Sequence, residues 1–123
     1  EITGGKKLPV VYDGVGKDTF MMSLDCLAPR GLLVSFGNAS GPVTGVDLGI
    51  LAAKGSLFVT RPTMFHYAAT DADFQAVAKD LFDVVATGKV KIEIGQRYKL
   101  ADAQQAHKDL EGRKTTGATV LIP

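Results

Sequence analysis

Two glycine-containing segments carry residue types that could bind a small ligand. Residues 14–16 (Gly-Val-Gly) follow one short apolar run, and residues 37–41 (Gly-Asn-Ala-Ser-Gly) follow another. Glycines let a backbone approach a ligand closely, and Asn38 and Ser40 add short polar groups that donate or accept hydrogen bonds. The chemistry available here is backbone-mediated binding, such as that of a dinucleotide. For residues 37–41 the residue types leave a plain loop and a ligand loop equally open.

Residues 14–16 are better interpreted as a tight strand-to-helix turn than as a pyrophosphate cradle. The dinucleotide fingerprint G-x-G-x-x-G requires a third glycine at the position where Thr19 stands. The acidic residue that normally follows about 20 residues later, after a second strand, is missing as well.

Arg61 is the third candidate, because it follows another apolar run directly. A planar guanidinium at that place could hold a phosphate or a carboxylate. A solvated surface arginine is the commoner case, and the residue types leave both interpretations open.

Other chemistry has little support in the sequence. His66 and His107 lie far apart, without H-x-x-x-H or H-x-E spacing, so no metal site is predicted. Cys26 is interpreted as a small core residue. No G-x-S-x-G motif is present, and no catalytic residue is identified.

Charge and composition exclude several classes of protein. The chain has 14 basic and 13 acidic residues among 123, a net charge of +1, and 46% hydrophobic residues. Nucleic acid and anionic membranes are not expected partners, because both require a basic excess. No apolar run is long enough to span a bilayer, and no charged-then-apolar leader follows Glu1. The single cysteine fits a reducing compartment, so a cytoplasmic location is predicted.

The elements that must position these residues are predicted from hydrophobic periodicity. Continuous apolar runs predict strands buried on both faces at residues 8–12, 31–36 and 56–60. Helical spacing predicts three helices between or after them: one capped by Asp18 that includes Leu27, one over residues 46–53, and one from Thr70 to Gly88. Alternation predicts a half-exposed strand over residues 89–100, followed by a helix capped by Asp102 and a strand over residues 118–122.

This order predicts an α/β fold with a parallel sheet. Strand, helix, strand, helix, strand at this spacing is typical of a βαβ succession, in which loops after the strands meet at the ligand-binding edge. The character of the sequence changes after Gly88, from buried to alternating strands. We therefore predict one region over residues 1–88 and a second over residues 89–123.

Five segments, in order, resemble one protein family over nearly the whole chain. Residues 10–19 (VVYDGVGKDT) are similar to the V-V-Y-D-S-V-G-x-D-T stretch of zeta-crystallin-like quinone oxidoreductases. The other matching segments are residues 23–27, 31–41, 54–62 and 106–123. The family has serine where this chain has Gly14, so any contact made by that hydroxyl is lost here.

The resemblance implies a fold and a cofactor. The family belongs to the medium-chain dehydrogenase/reductase superfamily, in which a Rossmann domain is combined with a GroES-like catalytic domain. On this template, residues 1–88 are the later half of the Rossmann-type parallel sheet with its flanking helices, and residues 89–123 are the segment that returns to the GroES-like domain. NADPH is the implied hydride donor and a quinone the acceptor, without zinc. The implied cofactor-binding residues are Gly14, Phe36, Gly37, Asn38, Ala39, Ser40, Gly41, Arg61, Pro62, Thr63 and Arg113.

The resemblance also implies what these residues lack. The pyrophosphate turn, the residues that select the 2′-phosphate and the catalytic domain proper would lie upstream of Glu1. We therefore expect a C-terminal portion that is inactive alone, with a homodimer formed through the edge strand at residues 56–60. Two alternatives stay open: another reductase of the superfamily, such as an alcohol dehydrogenase or an enoyl reductase, and a non-catalytic oligomerisation module.

Overall fold

The structure, a computed structural model, describes residues 2–123. These residues form two compact units, one ending at Ala69 and one running from Thr70 to Pro123. Each unit contains a parallel sheet, and helices alternate with or precede its strands along the chain. The predicted α/β class with parallel strands is confirmed.

The first unit is a three-stranded parallel sheet in the order β1-β2-β3. Its elements, in chain order, are β1 (Leu8–Asp13), α1 (Phe20–Asp25), β2 (Leu27–Ser35), α2 (Gly49–Ala53), β3 (Phe58–Thr60) and α3 (Met64–Tyr67). Val11 pairs with Leu33, and Leu33 pairs with Val59, so the central strand joins the other two.

The core of this unit lies between α1 and the sheet. Leu24, Leu27 and Leu33 are fully buried, and Phe20 and Leu57 are nearly so. Because α1 places Phe20 and Leu24 one turn apart, the helix presents one apolar face to the sheet. That packing fixes where the chain leaves β1 and enters β2.

Two predicted features of α1 are wrong. The N-cap is Thr19, not Asp18, and no side chain caps the helix. The helix ends at Asp25 instead of including Leu27, because Leu27 pairs with Leu8 and begins β2. Sheet pairing therefore takes a residue that helical periodicity had assigned to the helix.

Local backbone geometry also shortens α2 and β3. Helix α2 begins at Gly49 and not at residue 46, because the Asp47 carboxylate accepts the Gly49 N–H (2.8 Å) in a turn that precedes the helix. The edge strand covers only Phe58–Thr60, since Ser56 has a left-handed backbone (φ 55°) and Leu57 packs into the core. Helix α3 was not predicted.

The second unit contains one long helix and a two-stranded parallel sheet. Its elements are α4 (Asp71–Ala86), β4 (Ile94–Lys99), a 3₁₀ turn (Leu100–Asp102), α5 (Ala103–Glu111) and β5 (Ala118–Ile122). The strand predicted over residues 89–100 is present only over Ile94–Lys99, because β5 has five residues and pairs only with this part. Asp102 occupies the N-cap of α5 as predicted, but its side chain makes no capping bond.

Helix α4 is the element that the sequence predicts best. The Thr70 hydroxyl accepts the Asp73 N–H (3.2 Å), and Gly88 has the left-handed backbone (φ 73°) expected just beyond the helix. Its apolar stripe is present but exposed in the described residues, with Phe74 and Leu81 each more than half accessible. None of the helices in residues 2–123 is long and apolar enough to cross a membrane.

Replacing Leu33 by alanine tests the core assignment. Leu33 is 0% exposed, so we expect Leu33→Ala to lower the free energy of unfolding by about 2–5 kcal/mol. Leu48→Ala is the matched control, because Leu48 is 76% exposed and its truncation leaves the stability nearly unchanged. Urea denaturation followed by circular dichroism measures both; equal effects of the two substitutions would contradict this core.

Candidate functional site

The predicted ligand-binding segments meet at one edge of the first unit. Residues 14–17, called the first turn, follow β1, and residues 36–41, called the second loop, follow β2. Arg61 comes directly after β3. Because the three strands are parallel, their carboxyl ends lie together, as the sequence predicts.

The first turn is organised by the carboxylate of Asp13, which is only 4% exposed. Its Oδ1 accepts the N–H groups of Val15 (2.8 Å) and Gly16 (3.0 Å). The Thr19 hydroxyl donates to both carboxylate oxygens at 2.8 Å, and the Ser23 hydroxyl donates to Oδ2 at 2.8 Å. Together these bonds tie the end of β1 to the turn and to α1.

The same contacts set the charge of Asp13. Burial raises the pKa of the carboxyl, but hydrogen bonds from Gly16, Ser23, Thr19 and Val15 outweigh burial and hold the pKa below its ordinary value. Asp13 is therefore a buried carboxylate satisfied by donors, and its role is to hold the turn. Asp13 is not among the site residues predicted from the sequence; the signal for it is a carboxylate that ends an apolar run, with hydroxyl residues at Thr19 and Ser23 further along the chain.

The second loop is fastened to the first turn along its length. The Val15 carbonyl accepts both the N–H (2.8 Å) and the hydroxyl (2.9 Å) of Ser40. The Ser40 Oγ also accepts the Asp18 N–H (3.0 Å), and the Lys17 N–H donates to the Gly41 carbonyl (3.1 Å). The Ser40 hydroxyl therefore serves the loop itself.

Glycine is required where the two segments approach each other. A Cβ at Gly37 would overlap the carbonyl of Gly14, and a Cβ at Gly16 would lie 2.7 Å from the Gly41 carbonyl oxygen. Gly16 also has a positive φ of 92°. The glycines that suggested a ligand loop are thus needed first for packing one backbone on the other.

Phe36 is the exposed apolar group of the site. Its side chain is 55% exposed and lies beside Gly14, where an added Cβ would come within 3.0 Å of the ring. A serine at position 14 would therefore require the ring to shift by a few tenths of an ångström. Compared with the serine of the family that the chain resembles, Gly14 lacks the hydroxyl and leaves space for the Phe36 ring.

The Arg61 guanidinium is bonded to the second loop. Nη1 donates to the carbonyls of Ser35 (2.9 Å) and Gly37 (3.0 Å). With its amide oriented to satisfy both neighbours, Asn38 donates to Gly37 O (2.9 Å) and accepts from Arg61 Nη2 (3.3 Å). Arg61 is therefore not a freely solvated surface arginine. Neither interpretation drawn from the sequence, a solvated side chain or a phosphate-binding one, includes these bonds to the second loop.

The remaining predicted residues of the first unit lie next to these groups in sequence. Ala39 donates its N–H to the Gly14 carbonyl (3.4 Å), which adds to the fastening of the second loop. Pro62 and Thr63 are half-buried and precede α3, with Thr63 at the N-cap position but without a side-chain capping bond. An open cavity of about 290 Å³ lies between Arg61, Asn38 and the apolar residues Phe20, Pro42, Val43 and Val59.

Arg113 belongs to the second unit and has two unusual properties there. Its backbone φ is 54°, a left-handed conformation that residues other than glycine rarely adopt. Arg113 follows Gly112, the C-cap of α5. Its side chain is exposed and has no hydrogen bond or ion pair within residues 2–123. The unusual conformation is in the backbone, and the guanidinium itself is exposed.

The turn that carries Arg113 is fixed by Asp109. The Asp109 carboxylate accepts from Gln105 (3.1 Å) and from the Tyr98 hydroxyl (3.0 Å), and Lys114 Nζ lies 3.6 Å away. These contacts, led by the Gln105 bond, hold the pKa of Asp109 below its ordinary value, and the Asp109 bond raises the pKa of Tyr98. The Lys114 N–H returns to the Asp109 carbonyl (2.9 Å), which closes the turn around Arg113.

Two further sequence expectations concern cysteine and metals. Cys26 is exposed at the C-cap of α1, so the expectation of a core residue is wrong; the chain turns into β2 there and Leu27 takes the buried place. Within residues 2–123, no group of three or more His, Cys, Asp and Glu side chains is placed to hold a metal ion.

Comparison with known proteins decides the family. Residues 1–121 match the sequence profile of the family described as zinc-binding dehydrogenase. The chain belongs to this family. It falls in the quinone oxidoreductase branch of the medium-chain dehydrogenase/reductase superfamily, and the resemblance stated from the sequence is confirmed.

Individual relatives agree with this placement. The chain is 64% identical to a quinone oxidoreductase of Pseudomonas aeruginosa over its full 123 residues, which are 38% of that protein. It is similar to a crystal structure of a Pseudomonas syringae pv. Tomato quinone oxidoreductase, with TM-score 0.91 and 58% identity over 99% of the chain and 38% of the other. It is equally similar to an Escherichia coli quinone oxidoreductase complexed with NADPH, with TM-score 0.91 and 55% identity over the same shares. The chain thus spans about 38% of the length of the relatives it matches.

Asp13 gives the fold a predictable dependence on pH. Its folded-state pKa lies below the ordinary value of 3.8, so the ionised carboxylate stabilises the fold above that pH, and the contribution is lost as pH falls through the folded-state pKa. We expect Asp13→Asn to lower the free energy of unfolding by roughly 1–3 kcal/mol at neutral pH and to weaken its decline in acid. Asp80→Asn, at an exposed position of α4, is the control. Urea titrations between neutral pH and pH about 2.5 measure this; an unchanged acid decline in Asp13→Asn would refute the assignment.

Gly37→Ala tests the contact between the two segments. The new methyl group would overlap the Gly14 carbonyl, so the second loop must move, and we expect a loss of about 1–3 kcal/mol of stability. Gly49→Ala is the control, because an added Cβ there meets only the Asp47 side chain and alanine favours the helix. Thermal unfolding compares them; a Gly37→Ala protein as stable as the wild type would show that the segments do not touch as described.

Proposed function

We propose that this chain supplies part of the cofactor site of an NADPH-dependent quinone oxidoreductase. The observation that carries the proposal is the hydrogen-bonded pair formed by the first turn and the second loop at the carboxyl ends of β1 and β2. The chain around them is 64% identical to a quinone oxidoreductase over all 123 of its residues. The E. coli relative was crystallised with NADPH, which supports that cofactor. The zinc-binding name of the family keeps a zinc alcohol dehydrogenase open as the alternative.

The residues present fit a dinucleotide of this kind. Gly14 and Gly37 let the first turn and the second loop pack closely against each other, which brings both segments together at the carboxyl ends of the strands. Phe36 offers an exposed apolar ring for a planar heterocycle. Arg113 lies in the second unit and is included because of the resemblance alone. The residues proposed for the cofactor site are those named from the resemblance: Gly14, Phe36, Gly37, Asn38, Ala39, Ser40, Gly41, Arg61, Pro62, Thr63 and Arg113.

This chain would help to orient NADPH and would supply no reacting group. When bound, NADPH supplies the hydride, and the acceptor is a quinone. The second loop presents Phe36 and the backbone of Asn38 to one side of the cofactor, and Asp13 keeps that loop rigid through the first turn. We assign no catalytic residue and no zinc ligand to these 123 residues.

The proposed organisation follows the same template. Residues 1–88 belong to the Rossmann-type domain and residues 89–123 to the segment that returns to the GroES-like domain. A homodimer would form through the outer edge of β3, where Phe58 and Val59 are exposed and no described strand pairs. The cytoplasmic location, resting on the single Cys26, also stays a prediction.

A chimera tests the function directly. This chain would replace the matching 38% of the P. aeruginosa quinone oxidoreductase. We expect the chimera to bind NADPH and to oxidise it in the presence of 1,4-benzoquinone, at a rate comparable with the unmodified relative. The isolated chain should bind NADPH far more weakly in calorimetry, because it contains no G-x-G-x-x-G motif.

Two results would count against the proposal. A chimera that folds, by circular dichroism and gel filtration, but leaves NADPH unoxidised with quinone would refute the reaction. Tight NADPH binding by the isolated chain would refute the idea that the site is incomplete. Metal analysis of a longer protein that carries this chain separates the zinc alternative.

A further inference from the structure

We infer that the side chain of Arg61 is a positioning residue, which holds the second loop in the shape that receives the cofactor. This inference rests on the proposed function and deepens it. The resemblance assigns residues 61–63 to the cofactor lining; the structure assigns the guanidinium of Arg61 to the loop instead.

The geometry of the guanidinium carries the inference. Nη1 makes two hydrogen bonds at 2.9 and 3.0 Å to the Ser35 and Gly37 carbonyls, on either side of Phe36. Nη2 reaches the Asn38 oxygen at 3.3 Å, and Asn38 donates back to the Gly37 carbonyl. One side chain therefore fixes the residue before Phe36 and the two residues after it.

Arg61 connects the chain after β3 to the chain after β2, beyond the last hydrogen-bonded pair of these strands. The last ladder pair between β2 and β3 joins Val34 to Thr60, and no strand pairing follows it. Arg61 follows Thr60 directly, and its bonds to the Ser35 and Gly37 carbonyls continue the connection between the two segments beyond the ladder. A planar fork with several donors can hold two carbonyls and an amide at once, which an ammonium group does less well.

The second loop has two sides and needs both attachments. One side is bonded to the first turn through Ser40 and Gly41. Arg61 holds the other side through the Ser35 and Gly37 carbonyls, which flank Phe36 in the chain. Without the guanidinium, the Gly37 carbonyl keeps only the Asn38 amide. The Phe36 and Gly37 N–H groups keep their bonds to the Asp13 carbonyl (2.9 and 3.3 Å), so the support that Arg61 adds is on the carbonyl side of the loop.

The competing role is direct binding of a cofactor phosphate by Arg61. The two roles differ in their response to salt and in which half of the cofactor they affect. A phosphate contact weakens as salt screens charge, whereas a loop support acts through neutral carbonyls and is insensitive to salt. A phosphate contact would also affect ligands that contain only the adenosine half.

The first experiment uses the chimera described above. Arg61→Met removes every donor but keeps the aliphatic stem, and Arg61→Lys retains the charge. Arg30→Met is the matched control, because Arg30 lies toward the amino end of β2 and loses the same group. Dissociation constants for NADPH and for 2′,5′-ADP are measured at about 0.01 M and about 1 M salt, which brackets strong and weak screening.

The expected pattern is specific to a loop support. Arg61→Met should raise the dissociation constant for NADPH roughly tenfold or more at both salt concentrations, in line with the loss of several charge-assisted hydrogen bonds. Arg61→Lys should recover only part of this, and 2′,5′-ADP should bind within about twofold of the unsubstituted chimera. An unchanged NADPH constant overturns the inference, and so does a loss that disappears at high salt or extends equally to 2′,5′-ADP.

A second experiment does not depend on cofactor binding. In the isolated chain, the amide hydrogens of Ala39 and Ser40 donate to the carbonyls of the first turn. We expect these hydrogens to exchange at least about fivefold faster in Arg61→Met than in Arg30→Met, because local opening of the loop becomes easier. Equal exchange rates overturn the inference. If the unsubstituted chimera fails to bind NADPH, the proposed function falls while this measurement still decides the role of Arg61.

Discussion

The need to satisfy one buried carboxylate shapes the candidate site. Asp13 lies at the end of β1 with almost no exposure, and a buried charge is tolerated only when donors surround it. Its donors come from two backbone amides of the first turn and from two hydroxyls, those of Thr19 and Ser23. The turn must therefore curl around the carboxylate, and α1 must begin where its hydroxyls can reach back. The position of the second loop follows, because that loop is bonded to the outer surface of the turn.

The sequence predicts the framework well because the framework depends on local patterns. The apolar runs of β1 and β2 and the cap of α4 at Thr70 are recognisable without tertiary information. Since parallel strands bring their carboxyl ends together, the grouping of Gly14, the second loop and Arg61 follows from the strand assignment alone. Two of the departures share a cause: periodicity assigns Leu27 to a helix and residues 89–93 to a strand, whereas sheet pairing begins β2 at Leu27 and β4 at Ile94.

The site's internal bonding could not be predicted in the same way. Nothing in residues 37–41 shows that Ser40 bonds to Val15, or that Gly37 is glycine because the Gly14 carbonyl lies where its side chain would be. Arg61 and Arg113 are the same residue type, and their neighbours in the sequence do not show what either guanidinium contacts. Only the structure separates the arginine whose guanidinium is occupied by carbonyls from the one whose guanidinium has no partner among residues 2–123.

The left-handed backbone of Arg113 has a consequence for how this chain can change. Glycine at that position would relieve a conformation that is unfavourable by about 1–2 kcal/mol for any residue with a Cβ, so the fold alone favours glycine there. Gly112 stands one residue too early to give this relief, since its own φ is −73°. Screens for thermal tolerance that ignore ligand binding would therefore enrich Arg113→Gly, and with it discard the exposed cation. At this turn, selection for heat resistance alone would therefore remove a residue that the proposed cofactor site includes.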